Sequence, residues 1–421
     1  MADEWTTLPL EDCMAAIIDY RGKSPEKTTF GVPLVTAKIV KGGRIEKPEE
    51  FIAEADFDDW MRRGMPQPGD IVMTTEAPLG EVAQLDGRKV ALAQRVITLR
   101  GKPNVLDNTF LKFLLQSNSV QEELRSRGTG TTVVGIRQSE LRKVSLTLPP
   151  LAEQKAIAAV LGALDDKIEL NRRMNATLET MARALFQSWF VDFDPVRAKL
   201  DGRPPAALDP ATAALFPEHL EESSLGHIPK GWEVRSLDKT AYYLNGLALQ
   251  KYPPGDGLTL PVIKIAQLRK GDSVGADRCN TKLPPNYIVQ DGDVLFSWSG
   301  SLEVELWCGG LGALNQHLFK VTSLEFPKWF YYLWTLYHLD EFRLIAADKA
   351  TTMGHIQRGH LTAAKVLIPP RPLLEVMTRT MSPLIDQLIA NRIQSRTLAT
   401  LRDTLLPKLL SGEISRDQTP L

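Results

Sequence analysis

The sequence predicts an α+β protein in which two similar mixed α/β halves are each followed by one long helix. Three observations predict it. Motifs of the first half return in the second at an almost constant offset, short apolar runs precede an apolar helix in each half, and two leucine-rich stretches keep a 3.5-residue periodicity. The chain has 421 residues, which is enough for more than one hydrophobic core.

The repeat is visible in matched motifs of the two halves. The run Thr131–Ile136 returns as Thr351–Ile356, and the run Leu148–Pro150 returns as Ile368–Pro370, both at an offset of 220 residues. Earlier landmarks return within a few residues of the same offset. A repeat of this length predicts two structural units with one fold.

Each half is predicted to begin with a small mixed sheet. Short apolar runs such as Pro33–Val35 and Ile71–Met73 are separated by Gly, Pro and Asn, which is typical of strands and turns. An apolar helix follows, at residues 110–115 in the first half and 329–336 in the second. A loop with Gly and Thr then leads to a Pro-Pro pair, which suits the start of a helix and is predicted to open the next element.

Two long helices are predicted after the Pro-Pro pairs. A helix of about 40 residues is about 60 Å long at 1.5 Å per residue, so a compact domain does not cover it and it must pair with its copy or with another protein. The alternative, two ordinary amphipathic surface helices, conflicts with this length. The predicted seam consists of Ile157, Leu161, Leu164, Ile168, Asn171, Asn175, Leu178 and Leu185 in the first helix, and of Leu384, Leu388, Asn391, Ser395, Leu398 and Leu405 in the second.

The asparagines of the seam have a specific meaning. Buried asparagines at matching positions of paired helices fix the register at a cost in stability.

The repeat and the two long helices also predict the domain boundaries. They are a first domain at 1–150, a long helix at 151–190, a Pro/Ala-rich linker at 191–230, a second domain at 231–370, a long helix at 371–412 and a flexible tail at 413–421.

Charge and composition exclude several classes of protein. Lys plus Arg number 50 against 51 Asp plus Glu, so any cations that bind a polyanion must be gathered on one face. The three cysteines, Cys13, Cys279 and Cys308, lack the spacing of a zinc site and are interpreted as reduced core thiols. Neither a signal peptide nor a membrane span is predicted, and the cytoplasm is the expected location.

No catalytic signature is complete. The chain lacks the GxxxxGK[ST] phosphate loop, and Gly128–Gly130 lacks the third glycine of a dinucleotide-binding motif. Asp293 with Glu303–Glu305 lacks the lysine of a common nuclease motif. Leu148 and Ile368 precede the Pro-Pro pairs, where an amino-methyltransferase needs a polar side chain. No catalytic residue, metal site or cofactor is therefore predicted.

Side chains that suit contact with a polyanion recur on loops of both halves. Arg and Lys neutralise phosphates, and Arg, Gln and His can reach base edges. The alternative for each residue is an ordinary solvated side chain. The candidates for DNA binding are Arg21, Lys23, Lys41, Arg44, Arg95, Arg125, Arg127 and Arg137 in the first half, and Lys251, Arg269, Lys270, His317, Lys349, His355, Gln357 and Arg358 in the second.

Several longer motifs point to one family. Leu148-Pro-Pro-Leu-Ala-Glu-Gln-Lys155 opens the first long helix, Phe186-Gln-Ser-Trp-Phe-Val-Asp-Phe193 ends it, and Leu406-Pro-Lys-Leu-Leu-Ser-Gly-Glu-Ile414 lies near the end of the chain. With these motifs the chain resembles, over essentially its whole length, the specificity subunit of type I restriction-modification enzymes. The second long helix departs from the pattern, because it opens with Pro370-Arg-Pro-Leu-Leu-Glu375.

The resemblance implies two target-recognition domains held apart by two long antiparallel coiled-coil helices, with pseudo-twofold symmetry. Each domain would read one half of a split, asymmetric DNA target, and the helix pair would set the gap. Two modification subunits, which bind S-adenosylmethionine and methylate adenine, would dock on the helices. Two restriction subunits would add cleavage and translocation that depend on ATP and magnesium, so this chain would itself hold no cofactor.

Two other functions stay open on the residues alone. A two-headed adaptor that binds proteins would share the duplicated design without DNA specificity, and DNA binding would differ from it by weakening steeply with salt. A free-standing hydrolase that uses the loop at 128–135 would show phosphoester turnover by the isolated chain.

Overall fold

The computed structural model describes residues 5–348 and 354–414. The chain divides into two compact units, unit 1 with Met1–Lys167 and Leu398–Leu421, and unit 2 with Ile168–Thr397. The division therefore falls within the two long helices, so that each unit contains a segment of both.

The first half of the chain alternates short strands and helices. Its elements are β1 (Thr6–Pro9), α1 (Leu10–Cys13), β2 (Met14–Asp19), β3 (Val32–Val35), β4 (Val40–Lys41), β5 (Arg44–Ile45), β6 (Phe51–Ile52), α2 (Phe57–Trp60), β7 (Ile71–Thr75), β8 (Leu79–Gln84), β9 (Ala91–Leu92), β10 (Val96–Gly101), α3 (Asn108–Gln116), α4 (Asn118–Ser126), α5 (Gln138–Leu141) and β11 (Ser145–Leu148).

The first long helix, α6 (Leu151–Phe186), begins directly after the first Pro-Pro pair, as predicted, and ends in a π-helical turn at Gln187–Val191. The stretch with linker composition contains two short helices and a hairpin: α7 (Asp194–Leu200), α8 (Pro210–Leu215), β12 (Leu220–Ser223) and β13 (Gly226–Pro229).

The second half repeats the pattern of the first. Its elements are β14 (Glu233–Ser236), α9 (Leu237–Thr240), β15 (Tyr242–Asn245), β16 (Thr259–Ile263), α10 (Ile265–Lys270), β17 (Arg278–Asn280), β18 (Ile288–Val289), β19 (Val294–Ser297), β20 (Val304–Leu306), β21 (Gly312–Leu314), β22 (Leu318–Thr322), α11 (Lys328–Tyr337), α12 (Leu339–Asp348), α13 (Arg358–Ala363), β23 (Lys365–Ile368) and the second long helix α14 (Arg371–Leu410).

The sheets of the two halves share one topology. Unit 1 has an antiparallel sheet of order β2-β10-β7-β8, and unit 2 has the corresponding order β15-β22-β19-β20. In both halves a second, mixed sheet accompanies the main one, with three strands in unit 1 and four in unit 2. The first strand of each half pairs with the last: Thr6 faces Leu148 in unit 1, and Glu233 faces Ile368 in unit 2. The sequence repeat is thus a repeat of the fold.

The repeat extends to individual side-chain contacts. The hydroxyl of Thr74 donates to the carbonyl of Pro78 at 2.6 Å, and the hydroxyl of Ser297 donates to the carbonyl of Ser301 at the same distance. Thr74 lies near the end of β7 and Ser297 at the end of β19, both side chains are buried, and each hydroxyl bonds to the turn that leads to the next strand, β8 or β20. A hydroxyl is small enough to bridge this turn, which explains why Thr and Ser occupy matching positions.

The cores lie between the sheets and the helices of each unit. In unit 1, Phe110 and Phe113 of α3 pack with Ile157 and Leu161 of α6. In unit 2, the aromatic residues that end α6 pack on α11, with Phe186 4.9 Å from Trp334 between ring centroids. Burial of each large aromatic side chain contributes about 2 to 3 kcal/mol, so the motif at residues 186–193 anchors the helix end in the core of unit 2.

Candidate nucleic-acid interface

In unit 1, two loops meet at the end of the β7–β8 hairpin. The backbone N–H of Ile136 donates to the carbonyl of Thr75 at 2.9 Å, and Thr129 and Gly135 exchange backbone hydrogen bonds of 2.8 and 3.0 Å. Gly130 has a φ of +117°, and a Cβ atom there would lie 2.2 Å from the carbonyl oxygen of Val133. Only glycine therefore fits this tight loop.

The tip of this loop is apolar and open to solvent. The side chains of Val133 and Val134 are 52% and 41% exposed, although valine is usually buried. They border a cavity of about 540 Å³ that is lined by Ala77, Pro78, Leu79, Arg125, Thr132, Val133 and Val134. Sequence reasoning singled out the arginine of this cavity and missed the two valines, because an apolar pair in a loop is usually assigned to the core.

Three of the predicted cations in unit 1 are exposed and have no ion pair within residues 5–348 and 354–414: Lys23, Arg125 and Arg137. Five others have acidic neighbours. Four of these form surface pairs, namely Arg21 with Asp19 at 3.8 Å, Lys41 and Arg44 with Glu46 at 3.6 and 3.7 Å, and Arg95 with Glu76 at 2.8 Å. Exposed pairs of this kind are worth about 0 to 1 kcal/mol, so a phosphate can compete for these cations.

Arg127 differs from the other cations of unit 1. Its guanidinium lies 2.9 Å from Glu123 and 3.6 Å from Glu140, and only 30% of its side chain is exposed. Glu123 also accepts the backbone N–H of Ser145 at 3.1 Å. This network joins α4, α5 and β11, so the structure gives Arg127 a role in the fold of unit 1.

In unit 2, the equivalent hairpin loop carries an aromatic residue. The backbone N–H of Ile356 donates to the carbonyl of Trp298 at 3.0 Å, which is the counterpart of the contact between Ile136 and Thr75. The indole N–H of Trp298 donates to Oδ1 of Asn245 at 2.9 Å, and its ring centroid lies 5.8 Å from that of His317.

Two of the predicted residues of unit 2, His317 and His355, lie beside Trp298, and a third, Arg358, lies over the ring of Phe319. His317 is held by Ser299, with its Nδ1 atom 2.9 Å from the hydroxyl oxygen. The ring of His355, which is exposed, lies 6.4 Å from that of Trp298. Arg358 donates to the carbonyl of Tyr243 at 3.1 Å. Trp298 itself was missed because only the contact with residue 356 shows that the loop faces the histidines.

The other predicted residues of unit 2 are more dispersed. Gln357 is exposed and caps α13, where its backbone N–H donates to Nδ1 of His360. Lys251 is exposed, whereas Arg269 lies 3.6 Å from Glu303 and Lys270 lies 3.1 Å from Asp272. Lys349 lies outside the described residues.

The two long helices pair antiparallel in each unit. In unit 2, the Asn171 amide donates to Gln394 at 2.9 Å and to Ser395 at 3.2 Å, and the Asn391 amide donates to Asn175 at 2.9 Å. In unit 1, Ile157 and Leu161 belong to the same core as Leu405 and Leu409. The predicted asparagines therefore lie in the seam.

The burial of the remaining seam residues shows that the predicted seam left out part of the buried face of α14. Ile168 and Leu388 are buried, and Leu164, Leu178, Leu185, Leu384 and Leu398 are half-buried. Four further residues of α14 in unit 2 are about as deeply buried as Leu388, and the pattern omitted them: Leu373, Met377, Met381 and Ile385. The sheets and shorter helices of unit 2 pack on α14 in addition to α6. The buried stripe of α14 is therefore wider than the seam of a two-stranded coiled coil.

Charged residues attach the sheets and helices of each unit to the long helices. In unit 1, Asp165 of α6 accepts hydrogen bonds from Lys112 of α3 and, at 2.7 Å, from Arg402 of α14. In unit 2, Arg392 of α14 lies 2.8 Å from Glu179 of α6 and 3.2 Å from Glu305 of β20. Burial raises the pKa of the Glu305 carboxyl, and the cation of Arg392 opposes this effect.

Gln154 explains part of the motif that opens α6. It is 1% exposed, and its amide donates to the carbonyls of Val105 and Pro149 at 3.0 and 2.9 Å. Its Oε1 atom accepts the backbone N–H of Asp107 at 3.0 Å. The glutamine thus joins the helix start to the loop before α3. Leu374 occupies the matching position of α14.

Residues 5–348 and 354–414 contain no group of three or more His, Cys, Asp or Glu side chains arranged to hold a metal ion. No helix in these ranges is long and apolar enough to cross a membrane. The three cysteines are buried and free, and burial raises the pKa of each thiol.

Comparisons with known proteins agree with this architecture. Residues 64–180 match the family model of the type I restriction modification DNA specificity domain. The type I restriction enzyme MjaIX specificity subunit of Methanocaldococcus jannaschii is 27% identical over 395 residues, which cover 91% of this chain and 87% of that protein. The HindI specificity subunit of Haemophilus influenzae is 24% identical over 383 residues, with 77% of this chain and 81% of that protein covered.

A solved structure has the same fold. The crystal structure of the type I restriction-modification system S subunit from M. genitalium aligns with a TM-score of 0.56 over 96% of each chain, at 16% identity. With its duplicated sheets and paired long helices, the chain is similar over most of its length to the specificity subunits of type I restriction enzymes, and its residues 64–180 match the DNA specificity domain of that family.

Proposed function

We propose that the two halves of the chain read the two halves of an asymmetric, bipartite DNA target, and that the long helices set the gap between them. We call residues 5–148 the first head and residues 233–368 the second head. One observation carries the proposal: the same loop contact is built in both heads, by Thr75 and Ile136 and by Trp298 and Ile356, yet the side chains around it differ. One scaffold with two different tips suits an asymmetric target.

The first head offers apolar and cationic contacts. Val133 and Val134 are exposed at the loop tip and suit contact with thymine methyl groups, which lie in the major groove. Arg125 and Arg137 are exposed beside the loop and suit contact with phosphates. Base contacts by the tip would supply specificity, and the cations would supply affinity that depends on salt.

The second head offers aromatic and hydrogen-bonding contacts. His317 and Arg358 can donate to base edges, and the carboxamide of Gln357 can both donate and accept. The two heads share one chain, so binding by one raises the effective concentration of the other. Half-sites about one helical turn apart, roughly 34 Å, would lie on the same side of B-DNA.

The long helices are the proposed dock for the modification subunits. In unit 2, α6 exposes Leu170, Met174 and Met181 at 42%, 38% and 47%, and these residues lie on one face of the helix. Two modification subunits would bring S-adenosylmethionine and flip an adenine in each half-site. Two restriction subunits would bring the ATP- and magnesium-dependent activities, and this chain would act without catalytic residues of its own.

The test is methylation of defined duplexes by the full chain assembled with its modification subunit. Mapping of methylated adenines in the source genome first supplies the target. We expect methylation only when both half-sites are present and only at the native gap. Methylation that is unaffected when one or two base pairs are added to the gap would refute the proposal.

A protein-binding adaptor is the competing function, and salt distinguishes the two. DNA binding by the proposed surfaces releases counterions, so the logarithm of the affinity should fall linearly with the logarithm of salt concentration. An affinity for the mapped target that equals the affinity for unrelated duplex at every salt concentration would favour the adaptor.

A further inference from the structure

We infer that Arg392 and Arg396 of α14 form an ionic clamp that fixes the angle of the second head on the long helices, and that this clamp makes recognition intolerant of a changed gap. The inference rests on the proposed function, because it concerns the geometry of the same bipartite site. All the residues involved belong to unit 2.

Arg392 is the first arm of the clamp. Its Nη2 atom donates to Glu179 of α6 at 2.8 Å, and its Nη1 atom donates to Glu305 of β20 at 3.2 Å and to the carbonyl of Leu306 at 3.1 Å. Its side chain is 29% exposed. One guanidinium therefore joins both long helices to an edge strand of the second head.

Arg396 is the second arm, one helical turn further along α14. Its two terminal nitrogens donate to the two carboxylate oxygens of Asp291 at 2.7 and 2.8 Å, and it also donates to the carbonyl of Cys308. The Asp291 carboxylate in turn accepts the backbone N–H of Gly310 at 2.8 Å. Asp291 precedes β19, so this arm holds a different part of the hairpin from the first arm.

The two arms together constrain the angle between the second head and α14. A bidentate guanidinium–carboxylate pair fixes direction as well as distance, because the planar fork must face the two oxygens. Apolar contacts lack this directionality, so the leucine and methionine side chains of α14 leave rotation of the head less restricted. Two directional contacts one turn apart oppose rotation of the hairpin about the helix.

The sequence repeat does not reproduce the second arm of the clamp. The position 220 residues before Arg396 is Ala176, which has no charge. Unit 1 uses the opposite arrangement, in which the acid Asp165 is central and the cations Lys112 and Arg402 flank it. The attachment of the second head can therefore be altered by substitutions confined to unit 2.

The experiment compares methylation at the native gap with methylation at gaps one base pair longer and shorter, by the full chain assembled with its modification subunit. The main variant combines Glu179→Gln, Arg392→Met and Glu305→Gln with Asp291→Asn and Arg396→Met, so that no charge of the clamp stays buried without its partner. The control is Arg371→Met with Glu375→Gln, which removes an exposed pair of 3.2 Å from the same helix.

We expect the main variant to raise the ratio of altered-gap to native-gap methylation by about tenfold. The control should keep the wild-type ratio. Circular dichroism and thermal unfolding check that the main variant folds. The single substitution Arg392→Lys keeps the charge but cannot reach three acceptors as a planar fork, and we expect it to raise the ratio about threefold.

An unchanged ratio in the folded main variant, or in Arg392→Lys if the main variant does not fold, would overturn the clamp. A different result would overturn the proposed function instead: wild-type protein that methylates all three gaps equally. The two failures are therefore distinguishable in one set of measurements.

Discussion

The Asn391 amide donates a hydrogen bond to Oδ1 of Asn175 across the paired long helices, at 2.9 Å. The side chains are only 4% and 8% exposed, and the Asn175 amide donates in turn to the carbonyl of Leu388 at 3.3 Å. A shift of α14 by one residue would leave these buried groups unpaired, so the asparagines specify one register of the helix pair.

Replacement of Asn391 by alanine should destabilise unit 2. The substitution leaves Oδ1 of Asn175 buried without its partner, so we expect the free energy of unfolding to fall by about 1 to 3 kcal/mol. Urea denaturation followed by circular dichroism measures it. Thr397→Ala, at an exposed position of the same helix, should change it by less than about 0.5 kcal/mol. Equal losses in the two variants would contradict a role in the seam.

Two neighbouring arginines of the first head should behave differently when each is replaced by alanine. Arg125 is exposed, so Arg125→Ala should keep the fold and reduce the slope of log affinity against log salt by about 1. Arg127 is paired with Glu123 and Glu140, so Arg127→Ala should lower the free energy of unfolding by about 1 kcal/mol. Fluorescence anisotropy with the mapped duplex and urea denaturation measure the two effects. A normal salt slope in Arg125→Ala would remove it from the interface.

Trp298→Ala should relax specificity in one half-site only. A mismatched base pair typically costs about 1 to 3 kcal/mol, and we expect this cost to shrink for mismatches in the half-site read by the second head. Mismatches in the other half-site should cost as much as in the wild type. Affinities of the wild type and Trp298→Ala are measured for four duplexes, namely the matched target, a mismatch in each half-site and both mismatches together, and these give the coupling between residue 298 and each half-site. Equal relaxation in both half-sites would show that Trp298 acts through the stability of the fold.

The sequence predicted what repeats and periodicity encode, namely the duplicated halves, the long helices after the Pro-Pro pairs and the asparagines between them. It missed contacts made by residues far apart in the chain. Nothing near Arg392 in the sequence indicates that Glu305 is its partner, and nothing near Trp298 indicates that His355 lies beside it. Such pairs depend on the packing of whole elements, which local patterns do not encode.

Gln154→Leu tests why the motif that opens α6 contains glutamine. Leucine copies the side chain found at position 374, but it leaves the N–H of Asp107 and the carbonyls of Val105 and Pro149 without their partner. We expect a loss of at least about 2 kcal/mol in the free energy of unfolding. The control is Lys155→Ala at the next, exposed position. A loss no larger than that of the control would mean that water replaces the glutamine.

The pKa shifts of two carboxyls predict opposite effects of pH on unit 2. Hydrogen bonds from Arg396 lower the pKa of Asp291 below 3.8, so its contribution to stability is present above that pH and is lost as pH falls through its folded-state pKa. Burial raises the pKa of Glu305 above 4.5, so its protonated form is favoured in the fold and stability is lost as pH rises through the raised value.

Two variants separate these effects. The difference in unfolding free energy between the wild type and Asp291→Asn should shrink below about pH 4, because the wild type then loses the charge that pairs with Arg396. The difference between the wild type and Glu305→Gln should move in favour of the wild type as pH falls from 7 towards about 4.5, because Glu305 becomes neutral. Urea denaturation at several pH values measures both differences. Since all other carboxyls are common to each pair, a difference that is constant across these ranges would show that the carboxyl has the same pKa in the folded and unfolded chain.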